Sequence, residues 1–229
     1  MNDPSGQMSE LYDEAYFSER DFLPSHLLAC LEQLLHRRQA RSVLEVGVGT
    51  GRLMTELRHR GYEVEGVDNS PIAAARAGAT VASATDLPFG DGVFDCVIGV
   101  HMIEHLTGAE GEQFVDEVRR VLKGHGTVFL VTPNFASPLR YLQGPRWYGY
   151  SDPTHITFYR PADLRTLLSH KGFKGVTFTF AIDSAAFDWP LPRFLAQLPP
   201  SGRRIVNRLL VSTPLALARD SVWVSARKD

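Results

Sequence analysis

From Val43 to Gly51 the chain reads Val-Leu-Glu-Val-Gly-Val-Gly-Thr-Gly, an apolar run that breaks into three alternating glycines. The run from Ser42 to Val46 has the composition of a strand buried on both faces. The glycines carry no Cβ, so the backbone can turn tightly there and a ligand can approach it closely. A helix from about Arg52 to Arg60 follows, closed by Gly61 at its C-terminal end. Strand, glycine turn and helix in that order put a binding loop at the carboxyl end of a strand. That arrangement belongs to open, mostly parallel sheets.

The rest of the chain repeats the alternation. Leu27, Leu28, Leu31, Leu34 and Leu35 share one face of a helix from Leu27 to Arg38. Tyr62 to Val67 reads as a second strand ending at Asp68, and Ser70-Pro71 as a helix start with Ser at the N-cap. A weak third strand falls near Thr80 to Ser83. Asp95 to Val100 and Gly126 to Val131 are further strands, separated by a helix from Glu110 to Lys123 with Phe114, Val118, Val121 and Leu122 on its apolar face. A short helix from Pro161 to His170 and two final strands, Val176 to Ile182 and Ser221 to Ala226, complete the pattern. The expected fold class is α/β, doubly wound, with helices on both faces of the sheet. One domain is expected over residues 1–229, with residues 1–40 as an N-terminal cap region.

Composition narrows the function classes. Lys and Arg total 24 against 26 Asp and Glu, a formal net charge of −2. No Lys/Arg run forms the basic face of a nucleic-acid binder, so no such partner is expected. Cys30 and Cys96 sit inside apolar runs and provide no disulfide framework, which fits a reducing cytoplasm. The polar, acidic stretch from Met1 to Glu19 lacks the apolar core of a signal peptide, and no apolar run reaches the ~18 residues of a membrane span.

A glycine loop by itself is shared by nucleotide and flavin sites. The dinucleotide fingerprint needs its third glycine three residues after the second, at position 52, which is Arg. Glu45, two residues before the first glycine, is unfavourable beside a pyrophosphate and suits a cationic amino-acid moiety. Asp68 closes the second strand, where a carboxylate can accept both hydroxyls of a ribose. Taken singly, each acid also reads as a solvated strand-end residue.

In combination these features resemble the class I S-adenosylmethionine methyltransferases, within them the small-molecule branch typified by ubiquinone-biosynthesis enzymes. The matching stretches are Val43 to Leu53, Val67-Asp-Asn-Ser-Pro71, Asp86-Leu-Pro-Phe89, Phe94-Asp95, Ile103-Glu-His-Leu106 and Val121-Leu-Lys-Gly124. The resemblance implies a strand order of 3-2-1-4-5-7-6 with the seventh strand antiparallel. It implies S-adenosylmethionine as cofactor and S-adenosylhomocysteine as product. Gly47, Gly49 and Gly51 would shape the turn under the methionine moiety, with Glu45 nearby. Asp68 would bind the ribose, Asn69 flank the adenine, Asp86 bond its amino group, and Leu87 offer a backbone N–H to the ring. His101 would lie near the methionine end. The amine-methylating nucleic-acid branch carries an Asn/Asp-Pro-Pro-aromatic tetrapeptide after strand four; this chain has Val100-His-Met-Ile103, which argues against base methylation.

His101-Met-Ile-Glu-His105 fits the pattern of one zinc-peptidase class. The pair would straddle a strand-to-loop junction, and no downstream acid completes the ligand set, so no metal is expected. The Glu-His-x-x-His motif of RNA 3′-end methyltransferases fails at Gly108. Proton handling is the better reading: His105, beyond strand four, and His155, in Ser151-Asp-Pro-Thr-His155, are candidate bases for a hydroxyl acceptor. His155 reads alternatively as a surface histidine bonding a backbone carbonyl. His26, His36, His59, His125 and His170 fall on polar helix faces or in turns and receive no assignment.

Residues 135–160 are rich in aromatics, and Tyr141, Trp147, Tyr148 and Tyr150 read either as a substrate-stacking wall or as core and lid packing. Between the last two strands lies an insertion, residues 183–220, in which Arg193, Arg203, Arg204 and Arg208 alternate with Phe194, Leu195, Ile205 and Leu209. It reads as a lid that grips an anionic or lipid-like acceptor or rests on a membrane surface, with Arg203 and Arg204 as the contacts, or as a solvated helical hairpin. The sequence thus points to methyl transfer to a small acceptor, oxygen favoured. A nucleotide-dependent oxidoreductase and a non-catalytic cofactor-binding protein are the rivals.

Overall fold

The strand that carries the glycine loop lies inside the sheet, between two parallel neighbours. In the computed structural model, which describes residues 23–178, 197–211 and 219–229, β1 (Ser42–Val46) pairs with β2 (Glu63–Asp68) on one side and with β4 (Phe94–Val100) on the other. The short β3 (Thr80–Val81) flanks β2, and β5 (Leu122–Pro133) flanks β4, both in parallel. β7 (Ser221–Lys228) then runs antiparallel between β5 and β6 (Phe173–Phe178). The order β3-β2-β1-β4-β5-β7-β6 is the expected one. It reverses between β1 and β4, so the crevice beyond their carboxyl ends is where such a sheet binds ligands.

Alternate β1 side chains serve opposite faces. Leu44 and Val46 pack with Val97 and with Phe114, Val118 and Leu168 of α4 (Gly108–Val121) and α7 (Pro161–His170). Val43 packs instead with Leu31, Leu35 and Leu57 of α1 (Ser25–Arg38) and α2 (Arg52–His59). The unbroken apolar strands of the sequence are therefore a sheet covered on both sides.

Local chemistry sets the element ends. Ser70 caps α3 (Pro71–Ala77) by accepting the Ala73 N–H, as anticipated, and Gly78 ends it in the left-handed region. Helix α4 begins before the periodic residues because Thr107 and Glu110 form a reciprocal capping box. β6 starts at Phe173, earlier than the reading from Val176, since Phe173 is buried in the core; residues 179–182 of the expected strand lie outside the described residues. The aromatic segment holds two short helices, α5 (Pro138–Gln143) and α6 (Tyr148–Ser151), and α8 (Pro200–Val211) is the described part of the insertion. No helix among the described residues is long and apolar enough to cross a membrane.

Gly66 shows how closely β2 and α2 approach: a Cβ there would lie 2.6 Å from both Met54 Sδ and Val48 Cγ1. Gly66→Ala should destabilise the fold by about 1–3 kcal/mol through overpacking, read as a lower Tm by calorimetry. An unchanged Tm would contradict this packing.

Candidate functional site

The glycine loop is built from three residues in the left-handed region, Gly47 at φ +77°, Gly49 at +50° and Gly51 at +73°. Close approach also requires glycine: a Cβ would lie 2.6 Å from Met102 Cγ at Gly47 and 2.5 Å from Ala77 Cβ at Gly51. Asp68 ties the loop down. Its Oδ2 accepts the Gly49 N–H at 3.0 Å and its Oδ1 accepts the Ser70 N–H at 2.9 Å.

Glu45 lies beneath the loop and is 3% exposed. It accepts the Met54 N–H in the first turn of α2, and its Oε2 meets no hydrogen-bond donor among the described residues. Burial pushes its carboxyl up to about 8, with the Met54 hydrogen bond opposing. A buried carboxyl with one unpartnered oxygen is a polar group left unsatisfied at the floor of the loop, which burial disfavours.

Above the loop opens a cavity of about 570 Å³, within the range of small-molecule sites. Glu45, Gly47, Gly49, His101, His105 and His155 line it, and Leu27, Val131 and Trp223 form an apolar wall. His101 caps the end of β4 at φ +52°, with Nδ1 2.9 Å from Glu104 Oε1. Glu104 is 1% exposed; burial would raise its carboxyl, but the hydrogen bond from His101 and the two neighbouring imidazoles hold it below its ordinary value. His105 sits on the 3₁₀ turn Ile103–His105, its Nδ1 2.9 Å from Thr154 Oγ1. Burial lowers its pKa, which favours the neutral base. The His155 ring lies 4.8 Å from that of His105 and donates through Nδ1 to the Gly149 carbonyl at 2.8 Å.

The structure thus gathers Gly47, Gly49, Glu45, His101, His105 and His155 on one cavity, while Gly51 and Asp68 lie outside its lining. It also brings one ligating atom each of Glu104, His105 and His155 within 4.8 Å. The histidine pair weighed for a metal, His101 and His105, is not the pair that meets there: His155 of the aromatic segment joins Glu104 and His105 instead. Asn69 and Asp86 are exposed, beyond the cavity wall.

Leu87 is a second correction. Its N–H donates to Glu117 Oε2 at 2.7 Å, an acceptor aligned by Arg120, so in this conformation it is not presented to a ligand. Trp147 is a third. It is 0% exposed and donates Nε1–H to Asp220, so it is core and not a stacking wall. Tyr141 and Tyr150 flank a separate cleft beside Arg140, away from the cavity. Tyr148 does line the cavity, its hydroxyl donating to the Asp220 carbonyl at 3.0 Å. On α8, Arg203 is partly buried and Arg204 exposed, and neither lines the cavity. Arg193, Phe194 and Leu195 lie outside the described residues, as do residues 1–22 of the N-terminal cap. Sequence reasoning missed His26, whose ring stacks on Trp223 at 5.4 Å and lines the cavity; only the pairing of α1 with β7 reveals it.

A family model described as a methyltransferase domain matches residues 16–177. The chain is 29% identical over 203 residues to malonyl-[acyl-carrier protein] O-methyltransferase of Geobacter sulfurreducens, covering 75% of this chain and 73% of that protein. It is 30% identical over 150 residues to a probable S-adenosylmethionine-dependent methyltransferase of Mycolicibacterium smegmatis, covering 62% and 56%. The chain spans about half the length of several of the curated relatives it matches. The crystal structure of a SAM-dependent methyltransferase from Archaeoglobus fulgidus shares the fold with a TM-score of 0.63 at 21% identity, covering 94% of this chain and 100% of that one.

Glu45 gives the site a pH signature. Its folded carboxyl, at about 8, keeps a proton that the unfolded chain releases near its ordinary 4.5. Between those values the folded state binds more protons, so stability falls as pH rises through this window. Glu45→Gln should flatten that slope in urea denaturation and raise stability near the upper end. Equal slopes for both proteins would contradict the buried carboxyl.

Proposed function

The chain belongs to the methyltransferase-domain family of S-adenosylmethionine-dependent enzymes, and we propose that it methylates a hydroxyl oxygen of a small organic acceptor. The observation that carries this reading is the shared cavity, in which the glycine loop with its unpartnered buried carboxyl faces three imidazoles.

The residues fit the cofactor that the family uses. Glu45 and the glycine loop would hold its cationic amino-acid end, and Asp68, at the loop's edge, its ribose hydroxyls. Asn69 and Asp86 would meet the adenine. When bound, S-adenosylmethionine supplies an electrophilic methyl group on a sulfonium. His105, neutral because it is buried, takes the proton of the acceptor hydroxyl, with His155 beside it as a second imidazole. Leu27, Val131 and Trp223 exclude water from the apolar side, and the rest of the catalysis is positioning.

Named relatives methylate nitrogen as well as oxygen: ajmaline N-methyltransferase of Rauvolfia serpentina and tocopherol O-methyltransferase of Arabidopsis thaliana are among them. An amine has its own lone pair once neutral, whereas a hydroxyl gains most from a base, and the histidine wall therefore favours oxygen. Arg203 and Arg204 on α8 would suit an anionic or lipid-like acceptor, and the protein would work in the cytoplasm.

Calorimetry tests the cofactor. S-adenosylhomocysteine should bind with micromolar-range affinity and NAD should not bind. Asp68→Ala should weaken binding strongly, since a hydrogen bond to a charged acceptor contributes about 1.5–3 kcal/mol. NAD binding in preference to S-adenosylhomocysteine would overturn the reading. Methyl transfer should also survive exhaustive chelation. Stoichiometric zinc, lost together with activity, would assign the Glu104, His105 and His155 group to a metal instead.

A further inference from the structure

We propose that Asp152 and Thr154 are positioning residues that hold His105 as a single tautomer, with its proton on Nδ1 and its lone pair on Nε2. The inference rests on the reading of His105 as the base and names what would keep it competent.

The hydrogens around Nδ1 decide the tautomer. His105 Nδ1 lies 2.9 Å from Thr154 Oγ1 and 3.2 Å from the Thr154 carbonyl oxygen. A carbonyl can only accept. A threonine hydroxyl has one hydrogen, and here it is donated to Asp152 Oδ1 at 2.5 Å, so toward His105 that oxygen also acts as an acceptor. Both neighbours of Nδ1 therefore call for a proton on it, and in the neutral ring the lone pair must then reside on Nε2. That is the state a general base needs.

The relay is buried and doubly anchored. Asp152 and Thr154 are 7% and 4% exposed, and Asp152 Oδ1 also accepts the Thr154 N–H at 2.9 Å, so one carboxylate oxygen fixes both the backbone and the hydroxyl of Thr154. The same stretch is clamped to the turn that carries His105, because the Glu104 carbonyl accepts the N–H groups of Ile156 and Thr157 at 3.0 Å each. Hydroxyl and imidazole are thus held by elements tied to each other on both sides. His155 follows the same rule, since its Nδ1 faces the Gly149 carbonyl and must donate.

Long-range ¹H–¹⁵N correlation spectra of the full-length, ¹⁵N-histidine-labelled protein, recorded where His105 is neutral, test this. His105 signals are assigned by their loss in His105→Gln. The wild-type ring should show the Nδ1–H pattern, a result that needs no relay variant to fold. Asp152→Ala frees the Thr154 hydroxyl hydrogen to turn toward Nδ1 and should shift His105 toward the Nε2–H form, while Thr154→Ser should match wild type. An Nε2–H pattern in wild type, or an unchanged pattern in folded Asp152→Ala, would overturn the proposal and leave the pair with the turn alone to stabilise. Failure of the methyltransferase reading would show separately, as absent S-adenosylhomocysteine binding, and the tautomer remains readable in the ligand-free protein.

Discussion

The carboxylate of Asp68 fixes the turn on which the rest of the site depends. One of its oxygens takes the Gly49 N–H and the other the Ser70 N–H, so the end of β2 is joined both to the glycine loop and to the start of α3. Glycines at positive φ are the most permissive residues of a chain, and a loop of three would otherwise sample many shapes. The second constraint comes from beneath. Gly51, at the start of α2, has no side chain with which to cap the helix, and Glu45 serves the Met54 N–H from the strand below. Two carboxyl groups therefore shape the loop, Asp68 from its edge and Glu45 from underneath, where its second oxygen stays unsatisfied.

The opposite wall depends on Glu104. Its side chain holds His101, and its carbonyl receives the chain at Ile156 and Thr157. His101 adopts a left-handed backbone at the end of β4, a conformation that costs a non-glycine residue about 1–3 kcal/mol and collects at functional sites. The bond to Glu104, the backbone N–H donated to the Val131 carbonyl at 2.8 Å and edge contact with Tyr148 offset that cost. The hydrogen bond from His101 and the neighbouring imidazoles hold the Glu104 carboxyl below its ordinary value although it is buried, while its Oε2 meets no hydrogen-bond donor among the described residues.

The fold was legible because it rests on local pattern. Apolar runs such as Asp95 to Val100 and caps such as Ser70 need no knowledge of distant residues, and the glycine spacing with Glu45 narrowed the cofactor. What escaped depends on pairings between remote segments. Nothing near Leu87 in sequence reveals that Glu117 takes its N–H. Trp147 looks like its neighbour Tyr148, yet Asp220 and the core claim the one while the other reaches the cavity. The convergence of His155 on Glu104 and His105 needs the turn at Thr154, and His26 acquires a role only through Trp223 on the last strand.

The most direct measurement is a crystal structure of the full-length protein with S-adenosylhomocysteine bound. The account predicts the ammonium group within hydrogen-bond distance of Glu45 or of the glycine-loop backbone, the ribose hydroxyls at Asp68, and the sulfur facing the imidazoles of His105 and His155. A ligand seated in the cleft beside Arg140 and Tyr141, or one whose amino-acid end lies away from Glu45, would contradict it.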